Sequence, residues 1–202
     1  MQGLQGAQNH EDWMLEIWDA KLSELGAEIM RLRRRAVTRL KSLSDEAHAT
    51  LTGNGKRLEI ALVETARLED YGAHILEKRR EERARGSTAL GPHRDDLEIK
   101  LAGLPAADYA SRGEARTIAL SLRKAEYDLL SQKFGEPPVL LIDDFTAELD
   151  SSRREFLLEM AALAPQAIVT GTESPPSAAR LYSIHAGALE SKQSALFAAG
   201  AA

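Results

Sequence analysis

The sequence predicts an α/β protein in which a mainly helical lobe precedes parallel strands joined by crossover helices, and three observations carry that reading. From Leu15 the apolar residues Trp18, Leu22, Leu25, Ile29, Leu32 and Ala36 alternate steps of three and four, the spacing of one face of a long helix. Residues 139–142 (VLLI) and 167–170 (AIVT) are short apolar runs, the pattern of strands buried on both faces of a parallel sheet. A helical pattern over residues 151–163 lies between them, so strand, helix and strand follow in the order of a parallel crossover.

Each element has its own local cause. The long helix is expected to pack its seam against a partner helix, with Trp18, which falls on the seam, in the core and Trp13 nearby. Gly53-Asn54-Gly55-Lys56 reads as a hairpin turn before an alternating strand over 58–63. A second helix is expected over 65–85, ended by Gly86-Ser87-Thr88. Strict alternation over 97–101 gives a half-exposed strand turned by Gly103, and an amphipathic helix follows over 113–133. The helix over 151–163 takes Asp150 or Ser151 as its cap, and a last hairpin runs through Leu181, Ile184 and Leu189. The expected organisation is a helical lobe over 1–88, an α/β part over 89–190 and a loose tail over 191–202.

Composition narrows the function classes. The 202 residues are 44% hydrophobic and 28% charged, ordinary for a globular chain, and contain no cysteine, which excludes disulfides and thiolate metal sites. There is no apolar stretch long enough for a membrane span and the N-terminus is polar, so the expected location is the cytoplasm, without membrane contact. A net charge of −5 argues against coating DNA through overall basicity. Within residues 31–41, however, Arg31, Arg33, Arg34, Arg35, Arg39 and Lys41 stand without an acid among them, a candidate DNA-binding patch or a solvated helix face. Five well-separated histidines make no transition-metal pattern.

Two segments carry the chemistry. The apolar run 139–142 delivers Asp143 and Asp144 at a strand's carboxyl end, where open α/β sheets bind ligands and where P-loop ATPases hold the acid for magnesium. Ser111-Arg112-Gly113-Glu114 opens the helix over 113–133, and a hydroxyl, a glycine and free helix amides make an anion-binding corner. In Gly91-Pro92-His93-Arg94-Asp95-Asp96, Arg94 is expected to pair with Asp95 or Asp96. A kinase loop is excluded there, because no Gly-rich loop and no Asp-Phe-Gly accompany it.

The order of these segments resembles the C-terminal part of an ABC-type ATPase head: signature motif at Ser111 to Glu114, Walker B strand at 140–144, and D-loop at Glu148-Leu149-Asp150. With Gly91 to Leu97, Arg116-Thr117 and the helical pattern from Trp18 to Arg33, the chain is similar to the RecF family of bacterial recombinational repair ATPases over roughly residues 10–172. The resemblance implies ATP and Mg as cofactors, with Asp143 binding magnesium and Asp144 orienting the attacking water. It further implies nucleotide contacts from Ser111, Arg112, Gly113, Glu114, Asp150, Thr170 and Thr172, with hydroxyls where many ABC-type heads carry a switch histidine. Implied partners are DNA at single-strand/double-strand junctions, a second copy in an ATP-dependent homodimer, and the RecR and RecA proteins.

One departure limits these implications. No Gly-x-x-x-x-Gly-Lys-Ser/Thr loop occurs in the sequence; at Gly53-Asn54-Gly55-Lys56, Thr50 takes the first glycine position and Arg57 the Ser/Thr position. The chain is thus expected to be a C-terminal part without the Walker A lobe, inactive alone. The competing reading is a stand-alone, non-catalytic module for DNA or protein contact.

Overall fold

The computed structural model describes residues 2–146, 150–174 and 180–192. Among them the chain forms two compact units, Met1–Ala125 and Glu126–Ala202.

The first unit begins with α1 (Gln2–Thr52), which Gly53 ends in the left-handed region at φ 57, its N–H donating to the Ala49 carbonyl. The Gly53 to Lys56 segment therefore joins a helix to a strand and is not a hairpin turn. Asn54 shapes it, its Oδ1 accepting from the Lys56 N–H at 3.0 Å. Strand β1 (Leu58–Val63) has the bounds expected from its alternation and pairs antiparallel with β2 (Asp96–Leu101), with Ile60 opposite Ile99. An Ala102-Gly103 turn, both residues at positive φ, returns β2 into the short β3 (Leu104–Pro105).

Helix α2 is Tyr71–Arg85, six residues later than the expected start at Thr65. Thr65 cannot join it because its hydroxyl donates toward Gly91 O and Asp95 Oδ1, each at 3.1 Å, while its N–H donates to Asp95 Oδ1 at 2.9 Å. Gly86 closes α2 at φ 67, as expected.

The seam of α1 departs most from expectation. Helix α2 packs on the neighbouring face, where Met30, fully buried, meets Ala66, Tyr71 and Ile75. Small residues decide that choice. Tyr71 lies so close to Gly26 that any Cβ there would collide with its ring, and the Gly72 backbone approaches Ser23. Arg79 of α2 donates through Nε to Asp19 Oδ2 at 2.6 Å on the same side. Trp18, Leu22, Leu25, Ile29 and Leu32 are left exposed, Trp18 at 62% and Leu25 at 57%, so the expected seam is not core among the described residues.

A second cluster, Leu58, Leu101 and Ile118 with Ile99 and Leu122, seats the sheet on the start of α4 (Arg112–Phe134), which follows the single turn α3 (Ala106–Tyr109). The second unit holds the end of α4, then β4 (Leu140–Ile142), α5 (Ser151–Leu163) and β5 (Ala167–Val169). Strands β4 and β5 are parallel, Leu141 opposite Ile168. Ile142, Phe145, Phe156 and Met160 are buried. Leu141 at 69% and Ile168 at 54% are exposed, which corrects the expectation of a strand buried on both faces. The expected last hairpin is β6 (Leu181–His185) with β7 (Ala188–Lys192), and residues 193–202 lie outside the described residues.

Candidate functional site

In the second unit, β4 ends at Ile142 and hands the chain to Asp143 and Asp144, both exposed. The adjacent β5 ends just before Thr170, whose N–H donates to the Ile142 carbonyl at 2.9 Å. That register puts the Thr170 hydroxyl between the two acids. It donates to Asp143 Oδ1 at 2.5 Å and accepts from the Asp144 N–H at 2.9 Å. Asp144 has φ 49, a left-handed conformation that aspartate tolerates better than most residues. Its Oδ1 accepts from the Thr146 hydroxyl at 2.8 Å, and Thr146 Oγ1 lies 3.1 Å from Thr172 Oγ1. Gly171 lets this turn close, since a Cβ there would come within 2.6 Å of the Phe145 ring.

Thr146 was not among the residues singled out from sequence, and the only signal for it was a hydroxyl two residues beyond Asp144. Asp150 caps α5, its Oδ1 accepting from the Arg153 N–H at 3.0 Å, and it also pairs with the Arg153 guanidinium. Glu148 and Leu149, the other expected D-loop residues, lie outside the described residues.

In the first unit, Ser111 and Glu114 form a reciprocal capping box. Ser111 N–H and Oγ both donate to Glu114 Oε2 at 2.9 Å, and Glu114 N–H donates to Ser111 Oγ at 3.2 Å. Lys56 Nζ, from the loop that superficially resembles a phosphate loop, donates to the other oxygen, Oε1, at 2.6 Å. The Lys56 ammonium, then the Ser111 amide and hydroxyl, hold the Glu114 carboxyl down at about 2. Arg112 is exposed and Gly113 half-buried, its carbonyl accepting from the Thr117 hydroxyl at 3.0 Å. Lys56 escaped the sequence reading because 58 residues separate it from Glu114.

The basic run of α1 divides. Arg31 pairs with Glu28, and Arg34 with Glu64 and Glu69. Arg33 donates to the Pro92 carbonyl and stands 3.9 Å from Asp95. Arg35, Arg39 and Lys41 are exposed. The Gly91 segment also corrects an expectation. Asp95, its side chain fully buried, is held by Thr65 and faces Arg33, whereas Arg94 turns to the Thr88 carbonyl at 3.4 Å.

Comparison with known proteins adds the decisive observation. No family model matches the chain. The DNA replication and repair protein RecF of Deinococcus radiodurans is 57% identical over 177 residues, covering 88% of this chain and 49% of that protein. RecF of Deinococcus deserti is 56% identical with the same coverage, and RecF of Herpetosiphon aurantiacus 40% identical over 163 residues, 79% of this chain and 42% of that protein. A solved structure of the recombination mediator protein RecF-ATP in the RecFOR pathway superposes with a TM-score of 0.77 at 28% identity, over 89% of this chain and 50% of that one. This chain matches about half of RecF. The match agrees with the resemblance read from the motifs and with the α/β architecture, and the RecF-like chain spans about half the length of the curated relatives it matches.

Proposed function

We propose that the RecF-like chain supplies the signature and Walker B parts of an ATP-dependent DNA clamp that acts in replication and recombinational repair, at single-strand gaps and in loading RecA. The observation that carries this reading is the Asp143-Asp144 pair at the end of a parallel strand, bridged by the threonine that directly follows the neighbouring strand. Residues 1–88 form the helical lobe in this reading and 89–190 the remainder of the head.

The donor sets suit a nucleotide and its metal. Asp143 is exposed, and among the described residues its carboxylate accepts only from the Thr170 hydroxyl, at Oδ1, which suits a hard cation such as magnesium at Oδ2. Among the described residues no cluster of three or more His, Cys, Asp or Glu side chains gathers, so water and phosphate oxygens would complete such a coordination shell. Magnesium there would screen charge developing on phosphate oxygens. Asp144, its Oδ1 held by Thr146, would orient the attacking water; being one methylene shorter than a glutamate, it suits slow hydrolysis and a timing switch.

At the other corner the α4 amino end and Gly113 would donate to the γ-phosphate of ATP held by a second subunit, joined by Ser111 once its hydroxyl turns from Glu114 to the phosphate, with Arg112 beside them. Lys56 removes the objection that an acid, Glu114, stands at this anion corner, because it neutralises the carboxylate. Asp150, Thr170 and Thr172 complete the nucleotide-facing set. Arg35, Arg39 and Lys41, exposed along α1, would contribute salt-sensitive contacts to DNA phosphates, with Arg31, Arg33 and Arg34 of the same run held in intramolecular pairs. RecR would be engaged by the closed clamp, in the cytoplasm.

The test is ATP hydrolysis by the 202-residue chain mixed with the half of Deinococcus radiodurans RecF that it does not match. Turnover in the mixture, lost in Asp144→Asn and in Ser111→Ala, is the expected result. Turnover indifferent to both substitutions would overturn the assignment.

A further inference from the structure

We infer that His48 is a positioning residue for the Ser111 corner: it stands between α1 and α4 as a neutral imidazole protonated at Nδ1, and a second proton, at Nε2, releases the first turn of α4. The corner's part in holding phosphate rests on the function proposed above; the release itself does not.

Helices α1 and α4 meet through polar side chains. On α1, Ser44, Ala47 and His48 share one face, and on α4 Thr117, Ser121 and Ala125 recur at steps of four. All six are buried, His48 at 1% exposure and Ser121 at 0%. Hydroxyl protons fix the tautomer of the ring. Ser121 Oγ donates its single proton to the Thr117 carbonyl at 2.8 Å, so toward His48 it can only accept. His48 Nδ1, 3.5 Å from that oxygen, therefore carries the ring's proton. Nε2 keeps a bare lone pair, enclosed and without a hydrogen-bond partner among the described residues. One turn nearer the corner the pattern repeats, Thr117 Oγ1 donating to the Gly113 carbonyl at 3.0 Å, and the Ala115 N–H closes the first turn on the Ser111 carbonyl at 2.8 Å.

No acid is free to receive a proton's charge at Nε2. The charged groups that act on the ring are Asp45 of α1, Glu114 of α4 and Lys56 of the loop after α1. Asp45 is engaged by the Leu58 N–H at 2.9 Å and by Arg57 at 3.4 Å, and Glu114 by Lys56 and Ser111. Burial outweighs both acids and holds the imidazole below its ordinary value of 6.5. An imidazolium here would bury an N–H with nothing to receive it, a cost relieved by opening the contact to water. The first turn of α4 is the side that gives. Ser111, Arg112, Ala115 and Arg116 are exposed, whereas α1 is clamped at Met30 by α2. The sign follows from linkage: a depressed base contributes stability that is complete above about 6.5 and lost as pH falls toward its folded value. That step begins well above the range, below about 4.5, in which Glu114 titrates.

The test is NMR of the 202-residue chain, with amide exchange followed from about pH 8 down to about pH 5. At the upper end two-bond proton–nitrogen spectra should show His48 as the Nδ1–H tautomer. Below about 6.5 the protection of the Ala115 amide should fall roughly tenfold per pH unit, one proton per opening, while the Ile75 amide on the Met30 face keeps its own. His48→Asn, whose amide supplies a donor near the Nδ1 position and takes up no proton in this range, should flatten that slope. The wild-type chain alone decides the matter if that variant does not fold. An Nε2–H tautomer, Ala115 protection that does not follow the protonation of His48, an equal fall at Ile75, or the same slope in His48→Asn would overturn the inference. Release of the corner in a chain that yields no ATP turnover with its complementary half would sustain it and count only against the proposed function.

Discussion

The Ser111 corner and the Asp143-Asp144 turn hold their acids by opposite means. At Ser111 the carboxylate of Glu114 is tied by a capping box and neutralised by Lys56. At Asp143 and Asp144 the two carboxylates are held by hydroxyls, Thr170 and Thr146, which orient without cancelling charge. The first arrangement leaves the positive end of a helix dominant, which suits a phosphate. The second keeps two negative charges side by side, which suits a divalent cation.

Four substitutions would break or sharpen that contrast. The largest effect is expected beneath the Ser111 corner. Ile118→Ala removes a buried side chain beneath the start of α4 and should cost about 2–5 kcal/mol in urea unfolding, with loss of the capping box. Thr170→Val removes one donor and one acceptor at an exposed turn and should cost about 1–2 kcal/mol; the Asp144 amide should then exchange faster with solvent. Unchanged exchange would show that the hydroxyl does not hold the turn.

Ser111→Ala takes away the cap side chain and should cost about 0.5–2 kcal/mol, with early fraying of α4 by hydrogen exchange. The smallest change in stability, and the most specific, is Lys56→Met. The Glu114 carboxyl, held at about 2, should move up toward its ordinary value near 4.5 when followed by NMR. The sign is fixed by linkage. A carboxyl whose folded value is depressed contributes stability that is complete above about 4.5 and lost as pH falls toward about 2. In Lys56→Met that acid-sensitive window should narrow, and an unmoved titration would refute the neutralisation.

How much of this could be read from residues follows from how local each cause is. The bounds of β1 were legible, and the cap of α5 was narrowed to Asp150 or Ser151, because alternation and capping are written within a few residues. The parallel pairing of β4 with β5 followed from strand, helix and strand in order, whereas the bond from Thr170 to Asp143 needed the register of the two strands. The buried face of α1 was not legible, since leucines at coiled-coil spacing advertise a seam, while the contact with α2 was set by Gly26 and Ser23, residues with no hydrophobic signature. The start of α2 was hidden for a similar reason, Thr65 being claimed by Asp95 across 30 residues. Lys56 looked like a fragment of a phosphate loop, and only the fold brings it to Glu114.

We propose that the carboxylates of Asp143 and Asp144 are one half of an ATPase site whose phosphate-holding loop comes from another segment. The most direct measurement is ATP hydrolysis by the purified 202-residue chain, alone and with the complementary RecF half, for the native sequence and for Asp144→Asn, which preserves the left-handed backbone at that position. No turnover above background is expected from the chain alone, and turnover that Asp144→Asn removes is expected in the mixture. Turnover by the chain alone, abolished by Asp144→Asn, would contradict the proposal.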